Sequence, residues 1–313
     1  MDVDGVFSGG GVRAIAFIGA LKVAEEKGIS FKRTAGTSAG AIIAAFVAAG
    51  YTSDEIKELL HEIDLREFLD PRTISIAFPF MKWLTLYWKL GLYKGKKLEQ
   101  WVEEKLAEKG VRTFADLEEG SIKIIASDIT NGRLIVLPDD LERYGILPER
   151  FKIAKAVRMS ASIPYFFDPI KIYDSTGKKN IFVDGGVLSN FPIWLFQDEK
   201  TPQERPVIGF QLQPSQLDQR PNNITNAITL FHGLFDTMMD AHDARHISQA
   251  HSADIVFIPV QQISMINFAL SHQVIDQLTD FGKESTEKFL RTWRHYPNHN
   301  TRAKITLKKS SIL

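Results

Sequence analysis

The residue with the clearest chemical potential is a serine flanked by glycines, in Gly36-Thr37-Ser38-Ala39-Gly40. Residues 31–35 can form a short strand and residues 39–49 are almost wholly apolar, so the serine is predicted at a strand-to-helix turn. A G-x-S-x-G sequence at such a turn is typical of a nucleophile elbow, where Gly36 and Gly40 let the strand and the helix approach each other. The other interpretation is a tight turn that only packs a buried helix.

A second candidate is the glycine run Ser8-Gly9-Gly10-Gly11-Val12-Arg13, which follows a predicted strand at 3–7 and opens a predicted helix at 12–27. Backbone N–H groups in such a loop can converge on an anion, either a phosphate or the oxyanion of an acyl-transfer intermediate. The run lacks the Gly-Lys-Ser/Thr ending of a P-loop and matches a dinucleotide fingerprint only loosely. Arg13 adds a fixed positive charge that suits either anion.

A third motif lies far along the chain, where the apolar strand 181–183 ends in Asp184-Gly185-Gly186. Asp-Gly pairs are also common in surface turns, so the aspartate alone is weak evidence for a site. The order of the three motifs, each after a strand, resembles that of patatin-like phospholipases, and residues 156–164 resemble the helix and turn before the family's aspartate strand. The resemblance covers residues 3–210 in patches.

The resemblance implies a patatin-type α/β fold, with a mostly parallel sheet between helices in a three-layer sandwich related to that of α/β-hydrolases. It implies a lipid acyl hydrolase that cleaves fatty-acyl esters of glycerophospholipids, with Ser38 as nucleophile and Asp184 as general base. It further implies an oxyanion hole formed by the glycine loop 9–11 with Arg13. No metal and no cofactor is expected.

The chemistry of these residues fits that expectation. A serine hydroxyl is a poor nucleophile until a base takes its proton, and an exposed aspartate is a weak base. Asp184 must therefore be desolvated and within hydrogen-bond distance of Ser38, which Gly185 and Gly186 allow by close approach. Gly10 and Gly11 can offer N–H groups to the oxyanion, while Arg13 steadies the loop or contacts a substrate phosphate.

Several alternatives stay open at this point. The order Ser38, Asp184, then His242 or His246 also fits a Ser-His-Asp triad. Those histidines with His251 have helical spacing and could suggest zinc, although one face of a surface helix explains them more simply. Asp128 ends a strand and is a reserve site candidate, for which we favour a structural role. A regulatory or nucleotide-phosphate-binding protein on a hydrolase scaffold is the alternative to an enzyme.

The alternation of predicted strands and helices indicates an α/β protein with a mainly parallel sheet. We expect one catalytic domain over 1–313, with a helical, aromatic-rich cap or interfacial insertion at 52–95 and a peripheral tail at 297–313. A hairpin is predicted from 122–126 and 134–137, further strands at 206–211 and 255–260, and a helix within 268–296. These elements must bring the three motifs together.

Residues 74–93 are rich in aromatic side chains, among them Phe78, Phe80, Trp83 and Trp88. Pro79, Lys82 and Lys89 argue against a transmembrane helix. The segment suits a cap over an acyl pocket, a face that makes peripheral membrane contact, or a buried helix.

Composition excludes some classes of function. The 313 residues include 38 basic and 38 acidic side chains, so no net field favours nucleic acid. The absence of cysteine excludes disulfides and thiolate chemistry. The N-terminus has neither the basic region nor the apolar core of a signal peptide. We expect a soluble, cytoplasmic protein that contacts a membrane surface peripherally.

Overall fold

The computed structural model describes residues 1–71, 88, 90–197, 204–214, 224–225, 229–231, 233–239, 254–260 and 263–295. Several predictions lie outside these residues: the aromatic side chains Phe78, Phe80 and Trp83, the histidines at 242, 246 and 251, and the tail 297–313.

The main elements alternate between strands and helices along the chain. In chain order they are β1 (Asp2–Phe7), α1 (Ala16–Glu26), β2 (Ser30–Thr37), α2 (Ala39–Ala48), α3 (Ser53–Glu62), β3 (Gly91–Tyr93), α4 (Lys96–Glu108), β4 (Ile122–Asp128), β5 (Arg133–Leu137), α5 (Ile153–Ser160), β6 (Tyr165–Phe167), β7 (Ile170–Tyr173), β8 (Lys179–Asp184), β9 (Val207–Pro214), β10 (Ile255–Val260) and α6 (His272–Thr292). Short 3-10 helices connect several of them, including Gly11–Ile15 and Leu65–Phe68.

One sheet has the strand order β10-β9-β1-β2-β4-β8-β7, and β5 pairs with β4 as an additional strand. The five strands β10, β9, β1, β2 and β4 run parallel to one another, whereas β5 and β8 run antiparallel to β4. Side chains alternate between the two faces, so that Phe7 joins the large core with α1 and α6, and Val6 packs with Phe191 and Ile193 on the other face. The predicted α/β architecture with a mostly parallel sheet is confirmed.

Strand β4 brings together the C-terminal ends of β2 and β8, which are far apart in the sequence. Strand β5 pairs with residues 124–128 of β4, so β2 and β8 must both occupy the opposite edge. Strand β2 runs parallel along that edge until Thr37 faces Ile125, and β8 arrives antiparallel with Asp184 facing Ala126. Because β2 and β8 run in opposite directions along the same edge, their C-terminal ends meet.

Helices α1 and α6 pack closely against each other because both carry a glycine at the contact. A Cβ added to Gly19 would lie 1.8 Å from the carbonyl oxygen of Thr279, and one added to Gly282 would lie 1.7 Å from that of Ala16. No larger residue fits these positions without moving one helix.

Two predicted helices differ from the structure at their ends. The helix expected over 12–27 starts as a 3-10 turn at Gly11 and becomes α-helical only from Ala16. The helix expected within 268–296 begins at His272, because the Ser271 side chain accepts a hydrogen bond from the backbone N–H of Val274 and caps it. It ends before Trp293, which has an extended backbone.

The described part of segment 52–95 begins with α3, where Thr52 and Glu55 form a capping box. Pro71 forms a β-bridge with Tyr93, which lies just before α4. The Trp88 side chain is 70% exposed. Within the described residues, no helix combines the length and apolar character needed to cross a bilayer.

Candidate active site

Ser38 occupies a strained turn between β2 and α2. Its backbone has φ 55° and ψ −124°, a conformation that side-chain-bearing residues rarely adopt. Only glycine fits at positions 36 and 40, because the backbone is closely packed there. A Cβ at Gly36 would lie 2.3 Å from the Gly40 carbonyl oxygen. A Cβ at Gly40 would in turn lie 2.4 Å from the carbonyl oxygens of Phe7 and Ser8. The turn has the geometry expected of a nucleophile elbow.

The meeting of β2 and β8 places Ser38 beside Asp184. The Ser38 Oγ donates a hydrogen bond to Asp184 Oδ2 at 2.7 Å, although the two residues are separated by 146 positions. Both side chains are buried, with Ser38 6% and Asp184 1% exposed. This distance lies within the range in which a carboxylate can accept the proton of an attacking hydroxyl.

Burial makes Asp184 a stronger base than an ordinary aspartate. Desolvation is the largest influence and raises its pKa from 3.8 to about 7, against the opposing effects of three partners. These partners are the Ser38 hydroxyl, the Gly186 N–H, which donates to Asp184 Oδ1 at 2.8 Å, and the positive charge of Arg158. Only glycine fits at position 185 beside Asp184, since a Cβ there would lie 2.4 Å from the Ile125 carbonyl oxygen.

The glycine loop lies directly against Ser38. A Cβ added to Gly9 would approach Ser38 Cβ to 3.3 Å and Asn190 Oδ1 to 2.3 Å. The N–H of Gly9 donates to the Asn190 carbonyl oxygen at 3.0 Å. Among the described residues, the N–H groups of Gly10 and Gly11 have no acceptor.

Contacts of Arg13 and Gly11 support this loop. The Arg13 Nε donates to the Gly10 carbonyl oxygen at 3.3 Å, a contact that fits the expectation that Arg13 steadies the loop. Gly11 has φ +57°, and a Cβ there would lie only 2.1 Å from the carbonyl oxygen of Met265. The Val12 N–H donates to the same Met265 oxygen at 3.0 Å, so residues near 265 support the loop.

Two supporting residues were missed by the sequence interpretation. The backbone N–H of Ser38 donates to Ser160 Oγ at 2.8 Å, and that hydroxyl donates to the Ile125 carbonyl oxygen of β4. Asn190 joins the glycine loop to the Asp184 turn, because it accepts from Gly9 and also lies against Gly186. Ser160 was in the segment that resembles the family, but nothing in its sequence position indicated this contact. Asn190 had no sequence signal.

An apolar cavity of about 100 Å³ extends from Ser38 along helix α2. Ala39, Ile42, Ile43 and Phe46 of that helix line it, together with apolar side chains of α3, α4 and the segment 161–167. Ser38 and Phe46 are eight positions apart, which corresponds to about 12 Å along the helix axis. Ser38 is the one hydroxyl-bearing residue among the described residues of this lining. The site therefore offers a nucleophile at the end of a hydrocarbon-lined space.

The reserve candidate Asp128 is fully buried and lies in a structural network. It accepts hydrogen bonds from the Tyr144 hydroxyl at 2.6 Å and from the Asn131 backbone N–H at 3.1 Å, which hold the turn between β4 and β5. Across the described part of the chain, no group of three or more His, Asp or Glu side chains could hold a metal ion.

Comparison with known proteins identifies the family of this chain. A family model described as patatin-like phospholipase matches residues 5–196. The uncharacterized protein YqhO of Bacillus subtilis (strain 168) is 54% identical over 295 residues, covering 94% of this chain and 100% of that protein. The "Probable lipid hydrolase 463L" of Invertebrate iridescent virus 6 is 29% identical over 199 residues, covering 60% of this chain and 61% of the viral protein.

A solved structure supports the fold. The crystal structure of VipD from Legionella pneumophila superposes with a TM-score of 0.55 at 16% identity, covering 93% of this chain and 67% of VipD. At that identity the likeness concerns the fold alone. The family model covers more than half of the sequence and includes the motifs at Ser38 and Asp184. The resemblance found in the sequence is confirmed: the chain belongs to the patatin-like phospholipase family.

Proposed function

We propose that this protein is a lipid acyl hydrolase that cleaves fatty-acyl ester bonds of glycerophospholipids through an acyl-serine at Ser38. The observation that carries the proposal is the 2.7 Å hydrogen bond from Ser38 Oγ to the buried Asp184 carboxylate, beside an apolar cavity. Family membership and a relative named as a lipid hydrolase support a lipid ester as substrate.

The reaction begins with attack of Ser38 Oγ on the ester carbonyl carbon, while Asp184 Oδ2 takes the hydroxyl proton. The developing oxyanion faces the N–H groups of Gly10 and Gly11, and each such donor typically contributes about 3 kcal/mol to lowering the barrier. Collapse of the intermediate breaks the ester bond, and Asp184 returns the proton to the leaving alcohol. Water then attacks the acyl-serine with Asp184 again as base, releasing the fatty acid.

The elevated pKa of Asp184 fits this role. At about 7, the pKa leaves a substantial fraction of the carboxylate ionised at neutral pH and makes it a better proton acceptor than an exposed aspartate. The protonated form is also accessible, so the same side chain can return the proton to the leaving group.

The apolar cavity beside Ser38 suits the acyl chain of the reacting ester. Its wall along α2 would hold the hydrocarbon, since burying each methylene group contributes about 0.8 kcal/mol. Contact with a membrane surface stays a prediction for Phe78, Phe80 and Trp83, and the 70% exposure of Trp88 is consistent with it.

The first experiment is labelling with a fluorophosphonate probe, which reacts with activated serines. We expect the wild-type protein to be labelled at Ser38, and Ser38→Ala and Asp184→Asn to lose both labelling and ester hydrolysis while remaining folded. Ser121→Ala is a matched control, because its buried hydroxyl has no hydrogen-bond partner among the described residues. Wild-type turnover by Asp184→Asn would refute the proposed base. A folded wild-type protein without labelling would favour the non-catalytic alternative.

The products then define the bond that is cleaved. Phospholipids with two different acyl chains release a different fatty acid from each position, so mass spectrometry identifies the reacting ester. Release of a phosphorylated head group without fatty acid would contradict acyl hydrolysis.

A further inference from the structure

A second apolar groove of about 440 Å³ lies on the other side of the wall that bounds the cavity at Ser38. Ile163 and Phe167 line the Ser38 cavity, whereas Pro164 and Tyr165 between them line the groove. The two apolar spaces are thus separated by a single stretch of chain.

The groove also reaches the strand that carries the proposed base. Val183 and Val187 line it on either side of the Asp184 turn, while Asp184 itself bonds to Ser38. The helical segment 233–239 closes the groove and contacts the same turn, because a Cβ at Gly186 would lie 2.9 Å from Met239 Sδ. A ligand in the groove would therefore lie beside the reacting centre.

The rim of the groove exposes large apolar side chains to solvent. Ile129 is 50%, Leu234 61%, Tyr165 43% and Leu90 39% exposed. Single exposed apolar residues are ordinary on a protein surface, but four of them around one groove indicate a binding surface. The described lining contains no charged side chain, which favours a hydrocarbon over a peptide or an anion.

We propose that this groove binds the second acyl chain of a two-chain lipid while the reacting chain occupies the cavity at Ser38. The proposal rests on the proposed acyl hydrolase function. The two acyl chains of a glycerolipid are attached to neighbouring glycerol carbons. The chain that does not react must therefore start within a few atoms of the ester at Ser38. The groove lies across one wall from that centre and has the required apolar lining.

The test varies the length of the non-reacting chain in soluble, monomeric diacyl phospholipids with a constant reacting chain. For the wild-type protein, we expect kcat/KM to rise by up to about fourfold for each methylene group that the groove buries. Leu234→Asn and Ile129→Asn should flatten this dependence. They should lower the ratio of kcat/KM for a diacyl lipid to that for a single-chain ester about tenfold. Leu147→Asn is the matched control, since Leu147 is 51% exposed and does not line the groove.

Each other outcome has a distinct meaning. If hydrolysis of both substrates depends on Ser38 but the groove variants retain the wild-type chain-length dependence, the second-chain proposal is wrong and the proposed function stands. If the variants change only the rates on vesicles, the exposed rim binds a bilayer and the proposal is equally overturned. If Ser38→Ala still hydrolyses the single-chain ester at the wild-type rate, the proposed function itself fails.

Discussion

Replacing Asp184 by asparagine should change how stability depends on pH. The folded protein holds the Asp184 pKa at about 7, whereas the unfolded chain has the ordinary value of 3.8. Between these values the folded state retains a proton that the unfolded state has lost, so stability falls as pH rises from about 4 to 7 and then levels off. At about 1.4 kcal/mol for each pKa unit, the loss amounts to about 4 kcal/mol.

Asp184→Asn removes this titration while keeping the size of the side chain. The free energy of unfolding of the variant should therefore rise relative to the wild type by about 4 kcal/mol between pH 4 and pH 8. For 313 residues, an unfolding entropy of about 2.1 cal/mol/K per residue converts this into a relative increase in Tm of about 6 °C. Urea denaturation at a series of pH values measures the difference directly, because other titrating groups are common to both proteins.

The Ser38→Ala variant provides a further test of the raised Asp184 pKa. The Ser38 hydroxyl lowers the pKa of Asp184, so Ser38→Ala should move the upper end of the stability decrease to higher pH. The wild-type kcat/KM should rise with pH as Asp184 loses its proton, reach half its maximum near pH 7 and level off above it. If the stability curves of wild type and Asp184→Asn stay parallel from pH 4 to 8, Asp184 has no raised pKa and the reasoning fails.

Three further substitutions test the surroundings of Ser38. Ile42→Trp should fill the apolar cavity about one turn along α2 and lower kcat/KM for long-chain esters at least tenfold, with little change for acetate esters. Gly11→Ala should lower the rate of fluorophosphonate labelling at least tenfold, because its Cβ would collide with the Met265 carbonyl oxygen. Ser160→Ala should reduce both kcat and the free energy of unfolding, the latter by about 1–3 kcal/mol in urea titrations, since the buried Ser38 N–H loses its acceptor.

Two of these predictions have a control variant in the same chain, and the third is controlled by comparing two substrates. Gly132→Ala also places a side chain at a positive φ of 62°, but nothing lies within 4 Å of the added Cβ, so only the backbone cost of about 1 kcal/mol remains. Wild-type labelling by Gly11→Ala would contradict the proposed position of the loop. Ser121→Ala removes a hydroxyl without a described partner and should leave kcat unchanged. An equal loss for acetate and long-chain esters in Ile42→Trp would argue against an acyl cavity.

The sequence identified the parts of the site whose signal is local. Ser38 at a strand-to-helix turn and Asp184 at a strand end could be predicted because glycine spacing and apolar runs reflect backbone conformation. The glycine run at 9–11 could be predicted as a loop after a strand for the same reason, whereas its role beside Ser38 was implied by the family resemblance. The α/β fold followed from the alternation of strands and helices, together with the family resemblance.

The contacts between these parts could not be predicted from the same patterns. The position of β8 on the edge that β2 leaves free depends on β5 occupying the opposite edge of β4. The hydrogen bond from the Ser38 N–H to Ser160 joins residues that are 122 positions apart, and no periodicity records such a pair. Only the folded chain shows that the N–H of Gly9 is already used by Asn190.

The proposed role of Asp184 as the base requires a carboxylate whose pKa is raised toward neutrality but not far beyond it. Burial supplies the increase at Asp184, and Arg158 opposes it with a positive charge. Arg158 is itself 1% exposed, and its pKa falls to about 10, so it stays charged at neutral pH. Its guanidinium donates to the Gly95 carbonyl oxygen and to Ser162 Oγ, while the Ser162 carbonyl oxygen accepts the Asp184 N–H. The same residue thus supports the Asp184 strand and limits the rise in the pKa of Asp184, as the proposed role of a base that both takes and returns a proton requires.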